Sequence, residues 1–319
     1  MKTKIGIPRA LFYYEFASLW VNFFSELGLE VIISPKTNKK IINDGTIAAV
    51  DDACIPVKIY HGHVINLRNK VDYLFIPRIM GITKKEYICP KFCGLPEMIK
   101  YSVKDLPKLI NTKIDLMKKD NLLNQMLEVG YIFINDKKRI VEAYHKAKAI
   151  YDYEKSKLKL PLVNKTNNVV IMGHPYVLSD DYLNMNIKAK LKKAGLNYLL
   201  PEMFDDDILT KYAKQYNGKV FWYFFHQMIG TCFYLLEQKL VEGIIYLSSF
   251  GCGIDSVVAE TVERNIRRNC DIPFMLLTID EHSGEGGFNT RLEAFIDMLK
   301  WRKQNENYIS PYGNYLYTR

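Results

Sequence analysis

Six cysteines are the residues of this sequence best suited to chemistry, and four of them stand in expected strand-to-helix connections. Cys54 lies two residues before Pro56, Cys89 and Cys93 share the run CPKFC, and Cys252 lies between two glycines in GCGIDS. Proline is tolerated in the first turn of a helix, and glycine lets the backbone come close to a bulky group. The free N–H groups at a helix start favour a thiolate, which is the form that binds soft metals. We therefore predict a metal site formed by Cys54, Cys89, Cys93 and Cys252.

The spacing of these cysteines favours an iron–sulfur cluster over zinc. The pair Cys89 and Cys93 fits a zinc site loosely, but a second pair is missing, because Cys54 and Cys252 are isolated and about 200 residues apart. An iron–sulfur cluster is held by cysteine thiolates, and these can come from separate loops. Unligated thiols are the remaining alternative. Buried free cysteine is the ordinary interpretation of any one of the six.

Two similar α/β stretches are expected to position the cysteines. KIGIP is followed by a helical pattern and LEVIIS, and NVVIMGHP by a helical pattern over 179–194 and LNYLL. In both stretches two glycines lie 22 residues apart, Gly6 and Gly28 in the first and Gly173 and Gly195 in the second. VDYLFIPRIMG and VEGIIYLSSFG form another matching pair. We predict an α/β fold with two related parallel-sheet, Rossmann-like domains.

The predicted boundaries follow from these patterns and from a lysine-rich stretch of helical period between them. They are 1–104 for the first α/β domain, 105–165 for a helical bridge, 166–302 for the second domain and 303–319 for a polar tail. Ligands of open parallel sheets bind beyond the carboxyl ends of the strands. We expect the four cysteines in strand-to-helix connections at that edge, with Pro96 starting a helix just behind Cys93.

Composition and charge exclude several classes of function. The net charge of +9 is most simply explained by a lysine-rich surface, with an anionic ligand or an acidic partner protein as the alternative, and no RNP, zinc-finger or helix-turn-helix pattern supports nucleic acid. No apolar run is long enough to span a membrane, and the first residues lack the apolar core of a signal peptide. We therefore expect a cytoplasmic protein without a nucleic-acid or membrane partner. Six cysteines in that compartment argue against disulfides.

Five blocks of the sequence resemble the proteins called acyl-CoA dehydratase activase-related, which are kin of the 2-hydroxyacyl-CoA dehydratase and benzoyl-CoA reductase subunits. The blocks are IGIPRALFYYEF, DDACIPVKIYHGHV, VDYLFIPRIM with CPKFCGLPEMI, SFGCGIDS, and IDEHSGEGGFNTRLEAF. They cover most of residues 1–300. The resemblance implies α/β domains around a [4Fe-4S] cluster at their interface, and ATP-dependent one-electron chemistry in an anaerobe.

The resemblance also implies which ligands hold the cluster. Cys54, Cys89 and Cys252 match the three cysteines of dehydratase subunits, in which the fourth iron position meets substrate. Cys93 would complete four-cysteine ligation, which closes the cluster to substrate and favours electron transfer. A double-cubane variant with six cysteines is less favoured, because Cys232 and Cys270 do not fall on the expected edge.

The function implied is low-potential electron transfer by the cluster-carrying component of a dehydratase or reductase. The alternative is a non-catalytic cluster-binding or scaffold partner of an ATP-dependent activase. The sequence has no G-x-x-x-x-G-K-[ST] motif and no actin-like ATP-binding segment, so the expected partner is a separate actin-like activase. An acyl-CoA or another small molecule is the expected substrate class. A degenerate relative without metal is the third alternative.

Other titratable residues are weaker candidates. Asp280, Glu281 and His282 follow the predicted strand PFMLLTI, where acid–base residues often lie, but a charged turn explains them equally well. His61 and His63 are expected inside the helix after Cys54, as structural residues.

Overall fold

The computed structural model describes residues 2–83, 86–117, 121–159 and 167–304. The chain forms two compact units, residues 1–158 with 220–223 and residues 159–219 with 224–319. Each unit contains a four-stranded parallel sheet with helices, which confirms the predicted α/β class with two parallel-sheet domains. Within the described residues, no helix combines the length and the apolar character needed to cross a membrane.

The first unit is built from six strands and six helices in the described part of the chain. They are β1 (Lys4–Ile7), α1 (Tyr13–Glu26), β2 (Glu30–Ile33), α2 (Lys39–Ala48), α3 (Ile55–Leu67), β3 (Tyr73–Phe75), β4 (Arg78–Gly81), α4 (Pro90–Ser102), β5 (Lys108–Ile110), β6 (Lys113–Asp115), α5 (Asn121–Tyr131) and α6 (Lys137–Leu158). The main sheet has the order β2-β1-β3-β5, and β4 pairs with β6 beside it. All of these pairings are parallel.

The second unit follows the same plan with four strands in its described part. Its elements are β7 (Asn168–Gly173), α7 (Pro175–Leu178), α8 (Ile187–Lys193), β8 (Asn197–Leu199), α9 (Asp206–Ala213), α10 (Tyr223–Gln238), β9 (Gly243–Ser249), α11 (Gly253–Asn269), β10 (Phe274–Ile279) and α12 (Glu285–Gln304). The first residue of α10 groups with the first unit. The parallel sheet has the order β10-β9-β7-β8.

The two sheets share one strand order. In each sheet, the first and third of its strands along the chain form the central pair. The second strand lies outside the first, and the fourth lies outside the third. The order therefore reverses between β1 and β3 in the first unit and between β7 and β9 in the second. Such a reversal opens a crevice at the carboxyl ends of the two strands, where ligands of doubly wound folds bind. The matching glycine spacing in the sequence thus reflects a repeated sheet plan.

Aromatic packing forms the core of the first unit. Trp20 and Phe24 of α1 contact Phe75 of β3 edge-on, with ring centroids 5.2 and 5.1 Å apart. The long helix α6 packs along α1, where Tyr151 stacks on Phe16 at 5.9 Å. Helix α6 thus belongs to the first unit. The boundaries predicted at 104, 165 and 302 stay predictions, and the predicted bridge over 160–165 and the tail from 305 onward lie outside the described residues.

Helices α2 and α3 pack unusually close to each other because each has a glycine at the contact. A Cβ atom on Gly62 would lie 1.9 Å from the carbonyl oxygen of Ile41, and one on Gly45 would lie 1.9 Å from that of Lys58. Helix α3 is buried along almost its whole length. Its position, and with it the position of Cys54 at its start, is therefore fixed by backbone-to-backbone contact.

A short segment returns from the second half of the sequence to the first unit. The N–H of Tyr87 donates to the carbonyl of Phe221 at 2.7 Å, and the N–H of Tyr223 donates to the carbonyl of Tyr87 at 2.9 Å. Residues 220–223 therefore pair with the chain just before α4.

One predicted helix is shorter than the sequence pattern indicates. The pattern over 179–194 predicts a single helix, but α8 begins only at Ile187. Met185 and Asn186 have φ angles of 52° and 55°, and such left-handed residues interrupt a right-handed helix.

Candidate functional site

The strand reversal in the second unit brings two chemically active side chains to one edge of the sheet. Strand β7 ends at Gly173 and is followed at once by His174, while β9 is followed by a turn and then by Cys252 at the start of α11. The two strands are neighbours, with Gly173 opposite Leu247. His174 and Cys252 thus leave adjacent strands at the carboxyl edge, the usual ligand-binding position.

Gly173 is required by the close approach of these two strands. Its φ angle is +144°, and a Cβ atom there would lie 2.5 Å from the carbonyl oxygen of Leu247. A larger residue would strain the backbone and push β7 from β9. The glycine therefore allows the chain to present His174 directly at the end of the strand.

Three side chains converge here. His174 Nε2 lies 3.7 Å from Cys252 Sγ and 3.9 Å from Asp255 Oδ1, and the three ligand atoms all lie within 4.8 Å of one another. His174 is 3% exposed and Asp255 is fully buried. Imidazole nitrogen, thiolate sulfur and carboxylate oxygen are all ligands of zinc and other transition metals. This group could therefore bind a metal.

Asp255 also has a structural role that uses both of its oxygens. Oδ1 accepts the hydroxyl proton of Tyr246 at 2.7 Å, and Oδ2 accepts the N–H of Ser249 at 2.7 Å. Burial, helped by the Asp255 carboxylate, raises the pKa of Tyr246 well above its ordinary value, so the phenol stays a proton donor. Asp255 thereby ties the end of β9 to the first turn of α11.

His174 lies in an aromatic environment. Its ring stacks on Tyr176 at 4.9 Å and meets the edge of Phe224 at 5.1 Å. Burial lowers the pKa of His174, and the neighbouring Asp255 opposes that effect. Its Nδ1 atom is buried and has no hydrogen-bond partner in the described part of the structure. Among the residues that the structure describes, the polar contacts of the ring are therefore made by Nε2.

The first unit contains the other three predicted ligands. Cys54 is buried at the N-cap of α3, and Cys89 is half-buried at the N-cap of α4, directly before Pro90. Two expectations were wrong. Cys54 lies in a helix-to-helix connection, because α2 is inserted between β2 and α3. Helix α4 begins already at Pro90, so both Cys93 and Pro96 lie inside this helix rather than before or at its start.

Cys93 lies in the first turn of α4 and is held by its neighbours. Its Sγ is 3.4 Å from Met80 Sδ, and its carbonyl oxygen accepts a hydrogen bond of 2.6 Å from Arg78. Arg78 also forms an ion pair with Glu97, which raises the pKa of Arg78 and lowers that of Glu97. The start of α4 is therefore anchored to β4.

The four predicted ligands thus divide between the units, three in the first and Cys252 in the second. In the residues that the structure describes, Cys54, Cys89 and Cys93 form no group with ligand atoms as close as those around His174. Cys54, Cys89 and Cys252 all cap helices without a side-chain hydrogen bond to the helix. The positive end of the helix dipole at such a start favours an anionic sulfur, which is the form that binds soft metals.

The remaining two cysteines have different environments. Cys232 is fully buried in α10, and burial raises its pKa to about 12. Cys270 is the C-cap of α11, at the opposite end of this helix from Cys252. Neither position favours a thiolate ligand, in line with the sequence-based preference for the other four.

The weaker candidates have local roles. Asp280 accepts the N–H of His282 and the hydroxyl of Ser283 at 2.9 and 2.8 Å, so it stabilises its own turn. His61 and His63 are buried in α3, as predicted, and His63 Nε2 lies 3.1 Å from the hydroxyl of Thr37.

Sequence reasoning missed His174 and Asp255. The strand-end rule that selected Cys252 after VEGIIYLSSFG would have selected His174 after NVVIMG, because both segments end at the same edge. Asp255 gave only the signal of an acidic residue in the first turn of a helix, which is common without a functional role.

Two of the solved structures that match this chain illustrate the low similarity. The SBP FpvC from Pseudomonas aeruginosa in complex with Mn2+ is 14% identical, with a TM-score of 0.30 over 94% of this chain and 96% of that one. ZnuA is 9% identical, with a TM-score of 0.29 over 94% of this chain and 99% of that one. TM-scores this low support no conclusion about this chain.

Comparison with families of related sequences is more informative. No curated protein matches the chain significantly. The family model described as CoA enzyme activase uncharacterised domain (DUF2229) matches residues 4–204, which include the whole described sheet of the first unit and the beginning of the second unit. This match confirms the resemblance inferred from the sequence blocks, and the chain belongs to this CoA enzyme activase-related family.

Proposed function

We propose that this protein binds a [4Fe-4S] cluster and is the cluster-carrying, electron-transferring component of a dehydratase-type system. The observation that carries the proposal is the N-cap position of three cysteines. Cys54, Cys89 and Cys252 begin α3, α4 and α11, and none of their side chains caps its helix. Membership of the CoA enzyme activase-related family supports the same kind of system.

The protein's part in the chemistry is to hold and shield a group that accepts one electron. A bound [4Fe-4S] cluster supplies low-potential one-electron transfer. Each N-cap cysteine lies at the positive end of a helix dipole, which stabilises added negative charge. The Arg78 contact to the carbonyl of Cys93 fixes the first turn of α4, so that the two thiols of this turn keep their spacing.

Ligand variants test the cluster. Anaerobically purified protein is expected to be brown and to contain about four iron atoms and four sulfides per chain. Cys54→Ala, Cys89→Ala and Cys252→Ala should each lose most of the iron. Cys270→Ala is the matched control, because it changes a cysteine at the other end of the helix that Cys252 begins, and it should retain the iron.

The Cys93→Ala variant decides between two forms of the site. Loss of iron indicates four-cysteine ligation and an electron carrier, whereas retention indicates an open iron position that meets substrate. Protein with stoichiometric zinc and no sulfide, or colourless protein without metal, would contradict the proposal. Full iron content in Cys252→Ala would show that the second unit supplies no ligand.

The proposed partner is a separate actin-like activase that hydrolyses ATP, and the proposed substrate class is an acyl-CoA or another small molecule. The family membership and the net charge of +9 support a docking contact that weakens as salt is added. EPR would follow cluster reduction by a low-potential donor with and without activase and ATP. Rapid ATP hydrolysis by this chain alone would contradict the partnership. Equal reduction rates without activase would leave a simple electron carrier.

A further inference from the structure

His174 is a buried polar residue beside Cys252 that the proposed function does not yet use. Its Nε2 atom faces two acceptors, Cys252 Sγ at 3.7 Å and Asp255 Oδ1 at 3.9 Å. The sulfur distance is within the range of an N–H···S hydrogen bond, whereas the oxygen distance exceeds that of an N–H···O hydrogen bond. The nearer contact of the ring is therefore with the sulfur.

The location of the ring proton follows from what surrounds the two nitrogens. Nδ1 is buried and has no hydrogen-bond partner among the described residues, while Nε2 has the thiol sulfur beside it. A buried N–H without an acceptor is costly, so a ring with one N–H is more stable with it on Nε2. A doubly protonated ring also has an N–H on Nε2. In either charge state, His174 can donate to Cys252.

The alternative is that Nε2 binds a metal directly. A metal-bound histidine almost always donates its other N–H to an oxygen, and Nδ1 of His174 has no such acceptor in the described residues. The third member of the group is also occupied, because both oxygens of Asp255 already accept hydrogen bonds from Tyr246 and Ser249. These contacts favour a hydrogen-bond donor over a metal ligand.

We propose that His174 is a positioning residue, which donates a hydrogen bond from Nε2 to Cys252 Sγ and so tunes the electron density of that sulfur. The consequence for a cluster rests on the function proposed above. Hydrogen bonds to cysteine sulfurs are among the factors that set the potential of an iron–sulfur cluster. The partial positive charge of the donated proton stabilises the reduced cluster, which is more negative than the oxidised one. The hydrogen bond therefore raises the reduction potential.

Tyr176 and Phe224 fix the direction of this donor. The ring of His174 is stacked at 14° on Tyr176 and meets Phe224 edge-on at 81°, which restricts its rotation. Gly173 before it allows the close approach of β7 to β9. The donor is thus held by the backbone on one side and by two aromatic rings on the other.

Two variants separate the donor from the bulk of the side chain. His174→Gln retains an N–H donor at a similar reach, and His174→Leu removes it. Potentiometric titration of the loaded protein, followed by EPR, should give a more negative potential for His174→Leu and a value closer to wild type for His174→Gln. Iron content and thermal midpoint are measured in parallel, so that a folding defect is recognised. Equal potentials in all three proteins would overturn the proposal.

A second measurement does not depend on a cluster. In metal-free protein labelled with 15N-histidine, NMR should show a protonated Nε2 on His174, with a shift that changes in Cys252→Ala. A ring protonated only on Nδ1 would overturn the proposal. So would one zinc ion per chain that is lost in both His174 variants, because the nitrogen would then be a ligand. If the wild-type protein binds no cluster but shows the protonated Nε2, the proposed function is contradicted, whereas the proposed hydrogen bond is supported.

Discussion

Substitution of Gly62 by alanine should destabilise the protein, although alanine is the better helix former. The new Cβ atom would lie 1.9 Å from the carbonyl oxygen of Ile41, where real contacts essentially never fall below 3.0 Å. That oxygen belongs to the backbone of α2, so no change of rotamer relieves the contact. The two helices must separate by about 1 Å, which loosens their close-packed contact.

The magnitude follows from two opposing effects. Overpacking of a well-packed contact costs about 1–3 kcal/mol and sometimes more, and the upper end applies because backbone must move. The higher helix propensity of alanine stabilises the folded protein by about 1 kcal/mol relative to glycine. We expect a net loss of about 2 kcal/mol, which lowers the urea midpoint by about 1 M at a slope of about 2 kcal/mol/M.

Two further variants test the reasoning. Gly94→Ala is the matched control, because Gly94 lies inside α4 and a Cβ atom there meets nothing within 4 Å; it should be neutral or stabilising by up to about 1 kcal/mol. Gly45→Ala opens the same contact from α2, so the double variant with Gly62→Ala should lose less than the sum of the single losses. A Gly62→Ala protein as stable as Gly94→Ala would refute the account.

Three other perturbations have defined outcomes. Burial and the nearby Arg9 lower the pKa of His63 to about 3, so below pH 6.5 the unfolded chain binds a proton that the folded chain does not bind. The free energy of unfolding should therefore fall from pH 6.5 toward pH 3, by at most about 1.4 kcal/mol per pH unit. Urea midpoints measured across this range should fall less steeply in His63→Gln. Asp255→Ala leaves two buried donors without an acceptor and should cost about 1–3 kcal/mol for each, whereas Glu260→Ala on the exposed face of α11 should leave the unfolding midpoint unchanged. Iodoacetamide at pH 8 should leave Cys232 of the metal-free native protein unmodified, as read by mass spectrometry, because burial raises the pKa of this thiol to about 12; labelling as fast as that of the half-buried Cys89 would contradict this.

The repeated sheet plan could be predicted because it depends on local signals. Gly28 and Gly195 have φ angles of +86° and +80°, a conformation that glycine adopts without strain, and each follows the helix that precedes a strand. The equal spacing of these glycines from Gly6 and Gly173 therefore marked the same strand–helix–strand unit twice. The short strands β5 and β6 lacked such a signal. Each has only three residues, and its extended conformation is stabilised by pairing with β3 or β4 rather than by its own residue pattern.

The candidate site was predicted in part. Cys54 and Cys252 lie at helix starts as expected, because Pro56 and the flanking glycines specify the turn locally. The convergence of His174 with Cys252 depends on the pairing of β7 with β9, whose residues are far apart in the sequence. A single sequence carries no direct record of that pairing, so the histidine remained inconspicuous.

The return of residues 220–223 to the first unit means that one cut of the chain cannot separate the two units. A fragment ending at Leu158 would lack the partner that pairs with Tyr87, two residues before Cys89. A single recombination between relatives would likewise set a foreign segment against Tyr87. The two halves of the gene are therefore expected to change together along this short pairing, and a functional chimera would need to exchange residues 220–223 along with the first half.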